Sequence, residues 1–263
     1  MTAERLAEVP ESAATGRVAE LYADIRAVLG LPMVNLVYRY LATRSGVLED
    51  CWAALRPNYG STAAASAGRE LIALAAPEGV APLPRATVEA AGMTGEEATL
   101  GRATLAAYRR ANSLNLLDMF ALLDGCPGGG SADTAPAPEP ASILPIAPLE
   151  SLAPETAALL DEMSVQTVGG GEPRIVPSFL RHFAHNARLL ALLWTLLEPA
   201  TAEAIGRAGA IASRARGLAQ GLPCPVAALE DGPERAVVAQ FSDAMPRMLV
   251  LGELLSAALA EAE

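Results

Sequence analysis

Two stretches of this chain can be laid over each other without a gap. They are LATRSGVLEDCWAALRP at 41–57 and FAHNARLLALLWTLLEP at 183–199. Five positions are identical: Ala42/Ala184, Leu48/Leu190, Trp52/Trp194, Leu55/Leu197 and Pro57/Pro199. The chain's two tryptophans therefore pair. The likeness extends outward. VPESAA at 9–14 faces APETAA at 153–158, and TGEEATL at 94–100 faces DGPERAVV at 231–238. GLPMV at 30–34 faces IVPSF at 175–179, which sets Pro32 on Pro177 and Met33 on Ser178. A repeat this long is not a solenoid unit. It implies one folding unit duplicated within the chain, closed about a pseudo-two-fold axis. Trp52 and Trp194 are then expected in equivalent environments.

The segment GCPGGGSADTAPAPEPASILPIAP at 125–148 separates the copies. Its Pro and Gly density forbids a helix and reads as a partly extended, mobile connection. The organisation is a first helical repeat at 1–125, a linker at 126–148 and a second repeat at 149–263. Ala, Leu, Glu and Arg dominate, and alternating β-branched runs are nearly absent, so the fold class is all-α. Helices are expected near 14–29, 34–43, 46–56, 62–76, 85–91 and 96–123. In the second repeat they are expected near 155–166, 178–186, 188–198, 200–219 and 233–261, with breaks at Pro199 and Pro246. Thr94 and Asp231 look like N-caps, with Glu97 and Glu234 reaching back to them.

A formal net charge of −11 excludes the basic footprint of a nucleic-acid binder and disfavours anionic membrane surfaces. Three widely spaced cysteines without a CxxC pair argue for a reducing compartment. With no apolar leader and no run of eighteen apolar residues, the expectation is a soluble cytoplasmic protein.

Both histidines lie together, as His182-Phe183-Ala184-His185. On a helix they share a face, but the matching part of the first repeat has no histidine, so the fold does not need them. Zinc requires at least a third ligand, and no HExxH is present; neither metal nor cofactor is expected. The glycine runs at 128–130 and 169–171 lack the context of a phosphate loop, and no GxSxG elbow occurs. Cys51 and Cys224 read as packing residues. In AYRRANSLNLLDMF (107–120), Asn112, Ser113 and Asn115 interrupt an apolar helical run. Either the helix kinks or restarts there, capped by Asn112 or Ser113, or these side chains bind something.

The segment LYADIRAVLGLPMVNLVYRYLA at 21–42, the Asn112 region and the duplicated helical layout resemble the group I 2-haloacid dehalogenases, the DehI family, whose fold is related to AhpD-like helical proteins. The resemblance implies hydrolysis of small 2-haloalkanoic acids by direct attack of a water activated by an Asp, in a site between the halves. It places Asn112 on the family's pocket Asn, Met33 on a pocket Trp, Leu36 on a pocket Phe, and Met245 on a pocket Tyr, or Phe241 if a gap is allowed. The catalytic Asp falls at Ser178. Serine is neutral and cannot act as that base. Glu172, in the 169–176 segment, and His182, one turn after Ser178, are the alternative bases. Two functions follow. One is a haloacid hydrolase with a relocated base. The other is a non-catalytic relative holding a small apolar or carboxylate ligand between the halves. A homodimer is left open.

Overall fold

Helix α6, Gly95–Asp124, shows why the chain folds as it does. Thr94 starts it with a capping box. The Thr94 hydroxyl accepts from the Glu97 N–H, and the Glu97 carboxylate accepts from the Thr94 N–H. From Ala111 to Leu123 every residue is then buried. A helix covered on every side must be wrapped by other elements, and the remaining helices do that.

The computed structural model describes residues 5–131, 133–139, 142–171 and 173–260. Before α6 come α1 (Gly16–Leu29), α2 (Leu36–Leu41), α3 (Val47–Tyr59), α4 (Thr62–Ala75) and α5 (Arg85–Ala90). After it come α7 (Pro154–Val168), α8 (Ser178–Arg181), α9 (Ala187–Ala219) and α10 (Pro233–Ala258). The described residues contain no strand, only isolated bridges such as Cys126 to Val226. Helix α10 packs along α6 and α9, and α4 packs on α6. The all-α expectation holds.

Several boundaries differ from the sequence reading. Pro199 and Pro246 do not break their helices; α9 and α10 run through them, and Pro57 lies inside α3. Each proline removes one backbone donor. In α9, Leu193 and Leu197 before the proline, and Ala204, Ala208 and Ile211 after it, are buried together, and that packing outweighs the lost bond. Asp231 is not a cap. Gly232 precedes the helix, Pro233 opens it with its preset φ, and Asp231 pairs instead with Arg235 at 3.4 Å. Helix α8 is one turn long, so both histidines lie beyond it, in the turn that leads to Asn186. Asn112 and Ser113 cap nothing, since α6 is continuous through them.

Trp52 and Trp194 do not share an environment. Trp52 is 2 % exposed, donates from Nε1 to Asp24 at 2.7 Å, and packs on Tyr38 and Tyr59. Trp194 lies half-buried on α9. The 126–148 segment is non-helical where described, as expected, but it is pinned to the helices. Thr62 N–H donates to Asp133 O, Ala135 N–H to Gly60 O, and Leu144 N–H to the Thr104 hydroxyl. Ala147 is fully buried and exchanges hydrogen bonds with Arg181. One window of α9 is apolar and long enough to cross a membrane, yet α9 packs against α6, α7 and α10 and contributes leucines to the core. All three cysteines are free thiols.

Beneath Trp52, the hydroxyls of Tyr38 and Tyr59 meet each other and the Asn115 side chain; Tyr59 donates to Asn115 Oδ1 at 2.8 Å. The Asp118 carboxyl lies 3.5 Å from the Tyr38 hydroxyl. Burial pushes the Asp118 pKa well above the usual carboxylate range, against the lowering effect of the two tyrosine hydrogen bonds. A carboxyl whose folded pKa is raised contributes stability that is present at acid pH and lost as pH rises towards that folded pKa. Asp118→Asn keeps the shape and cannot ionise. Its melting temperature is expected to exceed that of the natural chain at pH 8, with the gap closing towards pH 4. A gap that does not change with pH would mean that Asp118 is ionised in the native state.

Candidate active site

A small cavity of about 30 Å³ lies where the entry to α2, the middle of α6, the strand-like run before α8, and α10 converge. Asn35 and Leu36 come from the first, Tyr108 and Asn112 from α6, Pro177 and Ser178 from the third, and Phe241, Met245 and Met248 from α10. Five of the residues singled out in the sequence therefore meet: Leu36, Asn112, Ser178, Phe241 and Met245. Met33 stands behind the wall. It is 9 % exposed, and the Tyr108 hydroxyl reaches its sulfur at 2.8 Å.

The elements explain this convergence. Asn112 sits one turn after Tyr108 on α6, so both point the same way. Leu36 and Ser178 are the first residues of α2 and α8. The offset that pairs the two tryptophans also pairs Leu36 with Ser178. Helix starts thus correct the sequence pairing of Ser178 with Met33: Asn35 and Pro177 are the flanking residues of two short helices whose first turns face one cavity.

The polar groups are few. Asn112 is 6 % exposed, and no described side chain or backbone group hydrogen-bonds its amide. Asn35 Oδ1 is buried and unpartnered. The Tyr108 hydroxyl lies 3.1 Å from His182 Nε2, and His182 Nδ1 lies 2.6 Å from Leu144 O. Because the carbonyl only accepts, Nδ1 carries the proton and donates to it, and Nε2 accepts from Tyr108. Burial raises the Tyr108 pKa, partly offset by the positive charge of Arg39 and by Ser178. Burial holds His182 down at about 4. His182 is thus a neutral residue behind Tyr108, one phenol removed from Ser178. His185 is exposed. Both histidines border one small hollow beside Glu97, but His182 is buried with both ring nitrogens engaged. Glu172 lies outside the described residues. Among the described residues no carboxylate lines the cavity, and no group of three His, Cys, Asp or Glu side chains could hold a metal.

The sequence matches no family model and no curated protein. Its backbone, however, superposes on solved structures along nearly its whole length. One is a D-2-haloacid dehalogenase in complex with L-LA, with a TM-score of 0.76 at 16 % identity, covering 97 % of this chain and 94 % of that one. Another is a mutant D-2-haloacid dehalogenase with D-2-CPA, with a TM-score of 0.73 at 18 % identity and the same coverage. The fold is the haloacid dehalogenase fold. Within that fold, Tyr108 and Asn35 are cavity residues that sequence reading passed over. Tyr108 carries no local signal of its own, but it lies one turn before Asn112. Asn35 lies in the quoted segment LYADIRAVLGLPMVNLVYRYLA, between Met33 and Leu36.

The acid limb of stability provides a check on the histidine. A depressed folded pKa contributes stability present above the unfolded value of about 6.5 and lost as pH falls towards about 4. The natural chain is expected to lose stability across that window, at up to about 1.4 kcal/mol per pH unit from this residue. His182→Gln, which keeps a donor and an acceptor, should flatten the loss. An unchanged acid limb in denaturant titrations at pH 7 and 4.5 would show that His182 titrates normally.

Proposed function

We propose that this chain is a 2-haloacid dehalogenase-like protein that keeps the ligand pocket of the fold but not a base for direct water attack. It would hold a short carboxylic acid or a similarly small apolar ligand against Asn112, and would hydrolyse carbon–halogen bonds near background. The observation that carries this reading is the cavity wall, with amides, hydroxyls and apolar side chains and no described carboxylate. Activating water at neutral pH needs a group that can accept its proton within hydrogen-bond reach. Ser178 cannot, and His182 is turned away and held neutral. The proposal places the protein in the reducing cytoplasm, in keeping with its three free thiols.

A second reading is an active hydrolase of 2-halocarboxylic acids with its base supplied by Glu172. Likeness to dehalogenases over 97 % of the chain favours it.

Halide release from both enantiomers of 2-chloropropionate separates the two. The natural chain is expected to match the buffer blank. Ser178→Asp introduces a carboxylate on the cavity wall, where partial burial raises its pKa above the usual value of about 3.9. That variant should release halide, and adding Asn112→Ala should lower the release. Robust release by the natural chain would overturn the proposal, and its loss in Glu172→Gln would then establish the second reading.

A further inference from the structure

A larger hollow, of about 300 Å³, opens on the other side of α6, between that helix, α4 and the 126–148 segment. Gly68 makes the approach: a Cβ there would lie 3.0 Å from Ser113 Oγ and 3.3 Å from Leu114 Cδ2, so α4 lies directly on α6. Beside this contact the helices part, and Ala135 and Pro136 close the far wall. The size is at the lower end for small-molecule pockets.

Most arginines elsewhere are taken up by carboxylates, as Arg56 is by Asp24 and Arg214 by Glu70, while Arg181 turns to the Ala147 carbonyl. Arg69 and Arg110 both line this hollow, and neither has a carboxylate partner among the described residues. Arg110 is half-buried; among the described residues its side chain makes one hydrogen bond, from Nη1 to Leu29 O at 2.5 Å, leaving most of its donors unused. Desolvation lowers its pKa. In a chain with net charge −11, two unneutralised guanidiniums converging on one cleft are not explained by solubility. The remaining wall is apolar (Ala65, Ile72, Leu114) with hydroxyls from Tyr59, Thr62 and Ser113. Such a lining suits a short hydrocarbon ending in groups that arginine forks recognise.

We propose that this cleft is a binding site for short aliphatic dicarboxylates, separate from the cavity at Asn112. Arg110 anchors the ligand from the floor and Arg69 closes on it from the rim.

Calorimetric titration of the full-length protein with succinate at pH 7 and low salt tests this. Saturable one-to-one binding is expected at millimolar concentrations or below. Arg69→Gln, at an exposed position without partners, should weaken it roughly tenfold or more, the worth of one charge-assisted hydrogen bond. Arg110→Gln should weaken it at least as much, and Asn112→Ala, in the other cavity, should leave it unchanged. Absence of saturable binding overturns the proposal. So does binding that Arg69→Gln leaves intact, or that Asn112→Ala abolishes. If Arg110→Gln does not fold, the Arg69→Gln result decides alone.

Discussion

A helix buried on every side has no solvent in which to leave a polar side chain. The second half of α6 is such a helix, with thirteen consecutive buried residues from Ala111 to Leu123, and four of them are Asn112, Ser113, Asn115 and Asp118. Each must find a partner, change its protonation state or face a hollow. Asn112 faces the cavity shared with α10. Ser113 donates to Arg110 O and borders the arginine-lined cleft. Asn115 accepts from the two tyrosines, and Asp118 is driven towards its neutral form. The chemistry of the molecule is distributed around one helix because these residues point in different directions from it.

The same constraint separates what the sequence revealed from what it hid. Helix content, the capping box at Thr94, the non-helical 126–148 segment and the meeting of Leu36, Asn112, Ser178, Phe241 and Met245 were all legible, through composition, local spacing and family resemblance. The helix at 96–123 was legible as well, but what its inner polar residues do was not. Asn and Ser inside a helix look like a restart when only neighbours in sequence are considered, since their local preference is for caps. The partners of Asn115, Tyr38 and Tyr59, are more than fifty residues away. The prolines misled in the same way: the tertiary packing of Leu193 and Leu197 before Pro199, and of Ala204, Ala208 and Ile211 after it, is invisible to a local rule.

The repeat signal was informative about register and misleading about environment. Its offset carries Leu36 onto Ser178, and the two stand at equivalent helix starts around one cavity. Yet Trp52 anchors Asp24, Tyr38 and Tyr59, whereas Trp194 lies half in solvent. Identity at an aligned position reports a shared place in a helix. What surrounds that place is set by the neighbours, and α9 continues where α3 and α4 are separated by Gly60 and Ser61.

The cavity at Asn112, about 30 Å³, is far smaller than the pockets that usually hold small molecules. That size fixes a timescale as well as a capacity. Any larger guest must wait for its walls to part, and two of the wall residues are Met245 and Met248, long unbranched side chains that change rotamer readily. Entry is then governed by the frequency of an internal fluctuation and not by diffusional encounter, so the observed association rate would level off as ligand concentration rises. Departure must wait for the same fluctuation. A ligand of modest affinity would therefore stay bound far longer than its equilibrium constant alone suggests.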